Sequence, residues 1–307
     1  ILRDGAAAQY GSDAIAGIVN LALNKSVGKG TFTTQYGVTK EGDGASYLAS
    51  LNYGFKLGKE KSYLNLTFNY QHANATNRSD FYNPKPVADG AYTGIYSNTQ
   101  ATDETSRKTR GVWGDYGTFR VGTYGSNQTT GYQGFYNLGY PLKNNWNLYS
   151  FGGFSQKDIL AYGFFRVANP SNANSTPEIF PDGYTPELPG KTVDYSSVVG
   201  LSRKVAKGWN LDFSTGYGYN YLDLWANNTT NPSMGASSPT NFYVGRSVFG
   251  QSTTEANLSR NYKNVLGTQS LNLALGGQFR VDQFKLEQGS KESKAGQGPP
   301  KVGKGHL

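Results

Sequence analysis

Side chains able to do covalent chemistry are scarce in this chain. Its 307 residues hold two histidines, His72 and His306, and no cysteine. Thiolate metal sites and a disulfide framework are therefore excluded. His72 closes a strand-like stretch, which suits a structural or interfacial role better than acid–base work. No His-Glu-x-x-His, Gly-x-Ser-x-Gly or Walker-type pattern occurs. Gly28-Lys29-Gly30 is too short for a phosphate loop and reads as a hinge. Triplets such as Asn65-Leu66-Thr67 follow from the abundance of Asn and Thr, and one lying in mid-strand argues against a glycan there. The residues thus predict no enzyme, no cofactor and no metal.

Binding chemistry is better represented. Phe81, Tyr82, Tyr92, Tyr96, Trp113, Tyr116 and Tyr184 fall in long polar segments between regular stretches. Rings on loops stack on a sugar or on a metal-chelate ligand, or they pack loops against one another. The residue types leave both uses open.

The elements that would carry such loops are strands. In 46–57, Tyr47, Ala49, Leu51, Tyr53, Phe55 and Leu57 alternate with Ser46, Ser50, Asn52, Gly54 and Lys56, with Leu48 out of place. In 209–221, Trp209, Leu211, Phe213, Tyr217, Tyr219 and Tyr221 alternate with Asn, Asp, Ser and Gly. Period two is the signature of a strand with two unlike faces. The same pattern marks 31–40, 62–72, 131–142, a stretch from Trp146 towards 167, 193–205, 246–262 and 269–286, about nine strands in all. Short turns alternate with long loops near 73–130, 168–192 and 226–245. Trp146 and Trp209 each follow a short turn, where an aromatic belt at a membrane interface belongs.

Composition agrees with this pattern. Aromatics reach 14% and charged residues 16%, with 40 Gly and 23 Tyr. Soluble domains carry roughly 25% charge, and the outer faces of a soluble sandwich are charged. Here the non-apolar face is Asn, Ser, Gly, Gln and Thr, which suits a wet or filled lumen. No apolar run is long enough for a transmembrane helix, and barrel strands do not need one. The net charge is +8, but the basic residues are scattered, five of them Lys in the last 23 positions, and no nucleic-acid motif accompanies them. Nucleic acid is not an expected partner.

The most specific pattern opens the chain. Arg3-Asp4-Gly5 leads through Ala6, Ala7 and Ala8 to Tyr10-Gly11-Ser12-Asp13, then to Ala16-Gly17-Ile18-Val19-Asn20. This resembles the last part of the plug domain of TonB-dependent outer-membrane receptors. A weaker likeness lies in Leu271 to Arg280, where Gln278 stands in place of an expected Glu. The resemblance implies an all-β fold, an incomplete transmembrane antiparallel β-barrel with a plug remnant. Residues 1–25 would end the plug, 26–289 would form the first part of the barrel, and 290–307 would be a disordered or aberrant tail.

It further implies a place in the outer membrane of a Gram-negative bacterium, in contact with its lipid. The activity would be uptake of a small-molecule or glycan ligand, such as a siderophore, cobalamin or glycan, driven by a TonB-type complex of the inner membrane. The energy-coupling segment, the TonB box, is not among these residues. Arg3 and Asp4 would be enclosed and need partners, for which Asp212, Arg280 and Asp282 are the wall candidates. Nine strands would leave two bare edges in lipid, so the chain reads as a fragment of a longer precursor. A passive porin or surface adhesin is the alternative, and a soluble carbohydrate-binding β-protein the third reading.

Overall fold

A computed structural model describes residues 21–79, 123–164, 166, 176, 178–180, 184–265 and 268–296. Nine strands form one antiparallel sheet in simple sequence order. They are β1 Gly30–Gly37, β2 Ser46–Phe55, β3 Tyr63–Ala73, β4 Gln128–Pro141, β5 Trp146–Tyr162, β6 Glu187–Lys204, β7 Asn210–Ala226, β8 Phe242–Val265 and β9 Thr268–Gln288. The all-β reading and the number of strands thus stand. No pairing joins β1 to β9 among the described residues.

Short turns lie at one end of the sheet and long connections at the other. Two of the turns share a geometry. In Lys143–Asn145 the left-handed residues are Asn144 and Asn145, and in Ala206–Gly208 they are Lys207 and Gly208. The backbone N–H of Leu142 donates to Trp146 O, and that of Val205 donates to Trp209 O. Both indoles are thereby delivered to the same point of their hairpins.

Several strands outrun their sequence signal. β6 begins at Glu187, inside a stretch read as loop because of its prolines. Pro189 faces Leu160 of β5, while β6–β7 pairing starts only at Gly190 and Leu224. The N–H that proline lacks would point into the gap between that pair and the Glu187–Asn227 bridge, so no ladder bond is lost. β7 and β8 continue beyond Leu224 through a bulge, which no period-two reading passes. β5, in contrast, ends at Tyr162 rather than near 167.

The register is staggered in one direction. Leu66, Tyr136, Gly152, Ser197, Tyr217, Ser252 and Val281 form one cross-strand row. β3 starts three residues below that row, β5 six, β7 seven and β9 thirteen. The strand starts therefore slip by ten residues across six strands. At about 3.3 Å per residue and 4.8 Å per strand this is a tilt of roughly 50°.

At the long-loop end, the β1–β2 turn is clamped to the chain leaving β3. Arg78 donates to both carboxylate oxygens of Asp43, at 2.6 and 2.9 Å, and Thr39 Oγ1 donates to the same group at 2.6 Å. Arg78, then Thr39, hold the Asp43 carboxyl well below the usual carboxylate range. A carboxylate depressed on folding stabilises the fold above its unfolded value, near 3.9, and that contribution fades as pH falls through the folded value. Amide exchange of Asn77, whose N–H also donates to Asp43, should be protected at neutral pH and speed up in the Asp43→Asn protein. Unchanged exchange there would contradict the clamp.

Candidate functional site

Cross-strand partners share a face, so the register sorts every side chain. Phe32, Leu51, Phe68, Phe154, Tyr195 and Tyr219 stand on one side. Thr67, Asn137, Ser196, Gly218 and Gln251 stand on the other. Trp209, Leu211 and Phe213 belong to the apolar side, as expected from the alternation. The two faces are unequally open. Phe213 and Tyr217 are 46% and 55% exposed, whereas Ser214 and Gly216 between them are less accessible.

The polar face over β2, β3 and β4 is not bare. Residues 24–28 cross it as a strap. Asn24 Nδ2 donates to Asn52 Oδ1 at 3.0 Å, and Asn137 Nδ2 donates to Asn24 O at 2.8 Å. Asn52 Nδ2 donates to Asn65 Oδ1 and to Thr67 Oγ1, and Asn65 Nδ2 reaches Ser26 O at 3.4 Å. Asn65 and Asn137 are 3% and 5% exposed. Burying an amide is costly unless its donors and acceptors are met, and here strap and wall meet them for each other. Gly28 N–H then donates to Gly54 O, and Gly54 N–H to Lys29 O, so the Gly28-Lys29-Gly30 hinge is tied to β2. Gly54 is required there, because a Cβ on it would lie 1.7 Å from Ser26 O.

Further round, the same face carries carboxylates with neutral partners. Tyr149 donates its hydroxyl to Asp212 at 2.8 Å across Gly200. Asn220 Nδ2 donates to Asp194. Gln278 lies directly opposite Glu255 and donates to it at 2.6 Å. A Glu at 278 would set two carboxylates face to face, so the departure from the expected residue has a physical reason. Arg280 and Asp282 pair with each other at 2.9 Å, and Gln251 donates to Asp282.

The three wall candidates, Asp212, Arg280 and Asp282, are thus all on the polar face. The motif residues Arg3, Asp4, Gly5, Tyr10, Gly11, Ser12, Asp13, Gly17 and Asn20 lie outside the described residues. So do the loop aromatics Phe81, Tyr82, Tyr92, Tyr96, Trp113 and Tyr116. Tyr184 is described, and it is buried. Its ring meets Phe180 at 4.4 Å, and its hydroxyl lies 3.4 Å from Thr230 Oγ1, which bonds Thr176. It joins the β5–β6 and β7–β8 loops. Of the stretch read as a tail, residues 290–296 are described. Asn231 Nδ2 donates to Glu292 O and Ala295 O there. His72 is engaged by Thr130 Oγ1 and Asn74 Oδ1.

Charge separates the two ends, which the sequence order hides. On the apolar face at the long-loop end, Asp158, Lys191, Asp223, Arg246 and Glu287 form one row of alternating sign. Asp223 is 4% exposed and bound by Arg246 at two points and by the Tyr243 hydroxyl. At the short-turn end, 56–62 bring Lys56, Lys59 and Lys61 against one acid, Glu60. The turn after β4 adds Lys143. The end of β6 adds Arg203 and Lys204, the turn after it Lys207, and the end of β8 adds Arg260 and Lys263. Among the described residues none of these nine forms an ion pair.

No family model matches this chain, and no curated protein shows significant similarity to it.

The strap predicts a clear mutational result. Gly54→Val should drive residues 24–28 off the wall. Asn137→Asp, which replaces a buried donor by an acceptor, should cost about 1–3 kcal/mol. Limited proteolysis should then cut at Lys25 or Lys29 in both variants and spare the parent; equal cutting of all three would contradict the strap.

Proposed function

We propose that this chain is the plug-proximal part of an outer-membrane receptor of the TonB-dependent type, an active importer. The observation that carries the reading is the strap. The segment that follows the plug-like motif runs across the polar side of the sheet, while the opposite side of the same strands is greasy and open. A domain that enters and blocks a lumen needs that arrangement. A passive porin has no N-terminal domain folded inside its lumen.

The geometry supports a barrel wall in two further ways. The tilt of roughly 50° is slightly steeper than the 35–45° usual for such barrels. Leu211 to Tyr221 on the apolar face of β7 spans roughly 33 Å along the strand, or roughly 21 Å along the barrel axis at that tilt, against an apolar band of about 25 Å. In this reading the β1 and β9 edges, unpaired among the described residues, are closed by further strands of a larger barrel.

In that setting ligand binds from the long-loop side. The Tyr184–Phe180–Thr230 cluster gives the outer loops a fixed base, and the Asn-lined wall holds the strap. Energy from an inner-membrane complex would act on the segment before the strap. The transported molecule is a small ligand or glycan whose class these residues do not select.

Face identity sets the test. In the full-length protein, Phe213→Lys or Tyr217→Lys places a charge in mid-bilayer, at a cost of roughly 2–4 kcal/mol. Heat-modifiable folded protein in the outer membrane should fall several-fold. Ser214→Lys, facing the lumen, should be milder. Equal effects at 213 and 214 would overturn the assignment of faces and the importer with it.

A further inference from the structure

The basic short-turn end pairs its charges with rings instead of acids. Lys59 Nζ sits 4.9 Å from the centre of the Tyr140 ring. The Arg203 guanidinium lies 5.6 Å from Trp146, and that of Arg260 lies 4.2 Å from Tyr262. Trp209 meets Tyr262 edge-on at 6.5 Å. These rings all stand on the apolar face. The Nε of Arg203 is buried without a hydrogen-bond partner. Lysines of the turns, such as Lys143 and Lys207, are exposed. The opposite end neutralises itself through the alternating row, so the imbalance is local.

We infer that this belt binds the headgroups of anionic phospholipids, of the phosphatidylglycerol class, in the leaflet that the short turns face. The inference rests on the membrane reading above and adds a partner to it. Charge complementarity is its ground: nine cations, with Glu60 the one acid within the turns themselves and no ion pair to any of the nine among the described residues, are set beside rings suited to an interface. An aromatic face leaves the outer side of a guanidinium free to donate to phosphate. Lys and Arg near an anionic surface each gain from the field, and salt weakens the gain.

The test reconstitutes the full-length protein in phosphatidylcholine vesicles with a trace of spin-labelled phosphatidylglycerol or spin-labelled phosphatidylcholine. The motionally restricted lipid at the protein boundary is read by electron paramagnetic resonance. We expect about fivefold selectivity for the anionic lipid at low salt, the factor that one Lys or Arg contact supplies. Lys59→Gln/Arg203→Gln/Lys207→Gln/Arg260→Gln should abolish it, and Lys40→Gln/Lys285→Gln, at the other end, should leave it intact. Should the fourfold variant not insert, Lys143→Gln/Lys207→Gln is read in its place and should halve the selectivity. Resistance to alkaline extraction reports insertion. Parent protein that is extracted overturns the membrane reading and this site together. Inserted protein with equal association of the two lipids, or with selectivity untouched by these variants, overturns the lipid site alone.

Discussion

A sheet one layer thick has no interior of its own, so each face must find its cover outside the sheet. The nine strands of this protein form such a layer. Among the described residues, the buried apolar side chains are few: Tyr184, Val193 and Phe242. Leu, Phe and Tyr side chains instead stand open along one face. In water that surface would drive association far beyond the few hundred Å² that monomers tolerate. The other face is mostly amides, hydroxyls and glycines, with Phe135, Phe249, Phe284 and Leu286 among the exposed apolar side chains that the register also places there. Two unlike surroundings are thus demanded by one strand at every second residue, a demand that the proposed membrane wall around a wet lumen would meet.

The polar face is organised by neutral groups where the chain crosses it. Asn24, Asn52, Asn65 and Asn137 exchange hydrogen bonds without a charge among them. Neutral bonds of this kind contribute about 1 kcal/mol net each, yet leaving the buried amides unmet would cost more. The strap is therefore fixed by what its removal would expose. Carboxylates further round the wall follow the same rule, with Tyr149, Asn220 and Gln278 as donors.

The period-two pattern made the fold and the faces legible, because side-chain direction in a strand is set by residue parity alone. Boundaries were less legible where a proline or a bulge broke the pattern, as at Pro189 and Leu224. Tyr184 was indistinguishable by type from a ligand-binding ring; its burial depends on Thr230, far off in sequence, as well as on the nearby Thr176. The asparagine box was hidden for the same reason. Lys59, Arg203 and Arg260 looked scattered along the chain, since what gathers them is the return of every second turn to one end of the sheet.

The division of the faces is tested most directly by a nitroxide scan along β7, residues 211 to 221, in the full-length protein in lipid. Collision with oxygen, which concentrates in the bilayer, is compared with collision with a water-soluble nickel chelate. The odd positions should favour oxygen, and the even positions should favour nickel or be shielded from both. Nickel access at Leu211, Phe213 and Tyr217 equal to that at Asp212 and Ser214 would contradict the account.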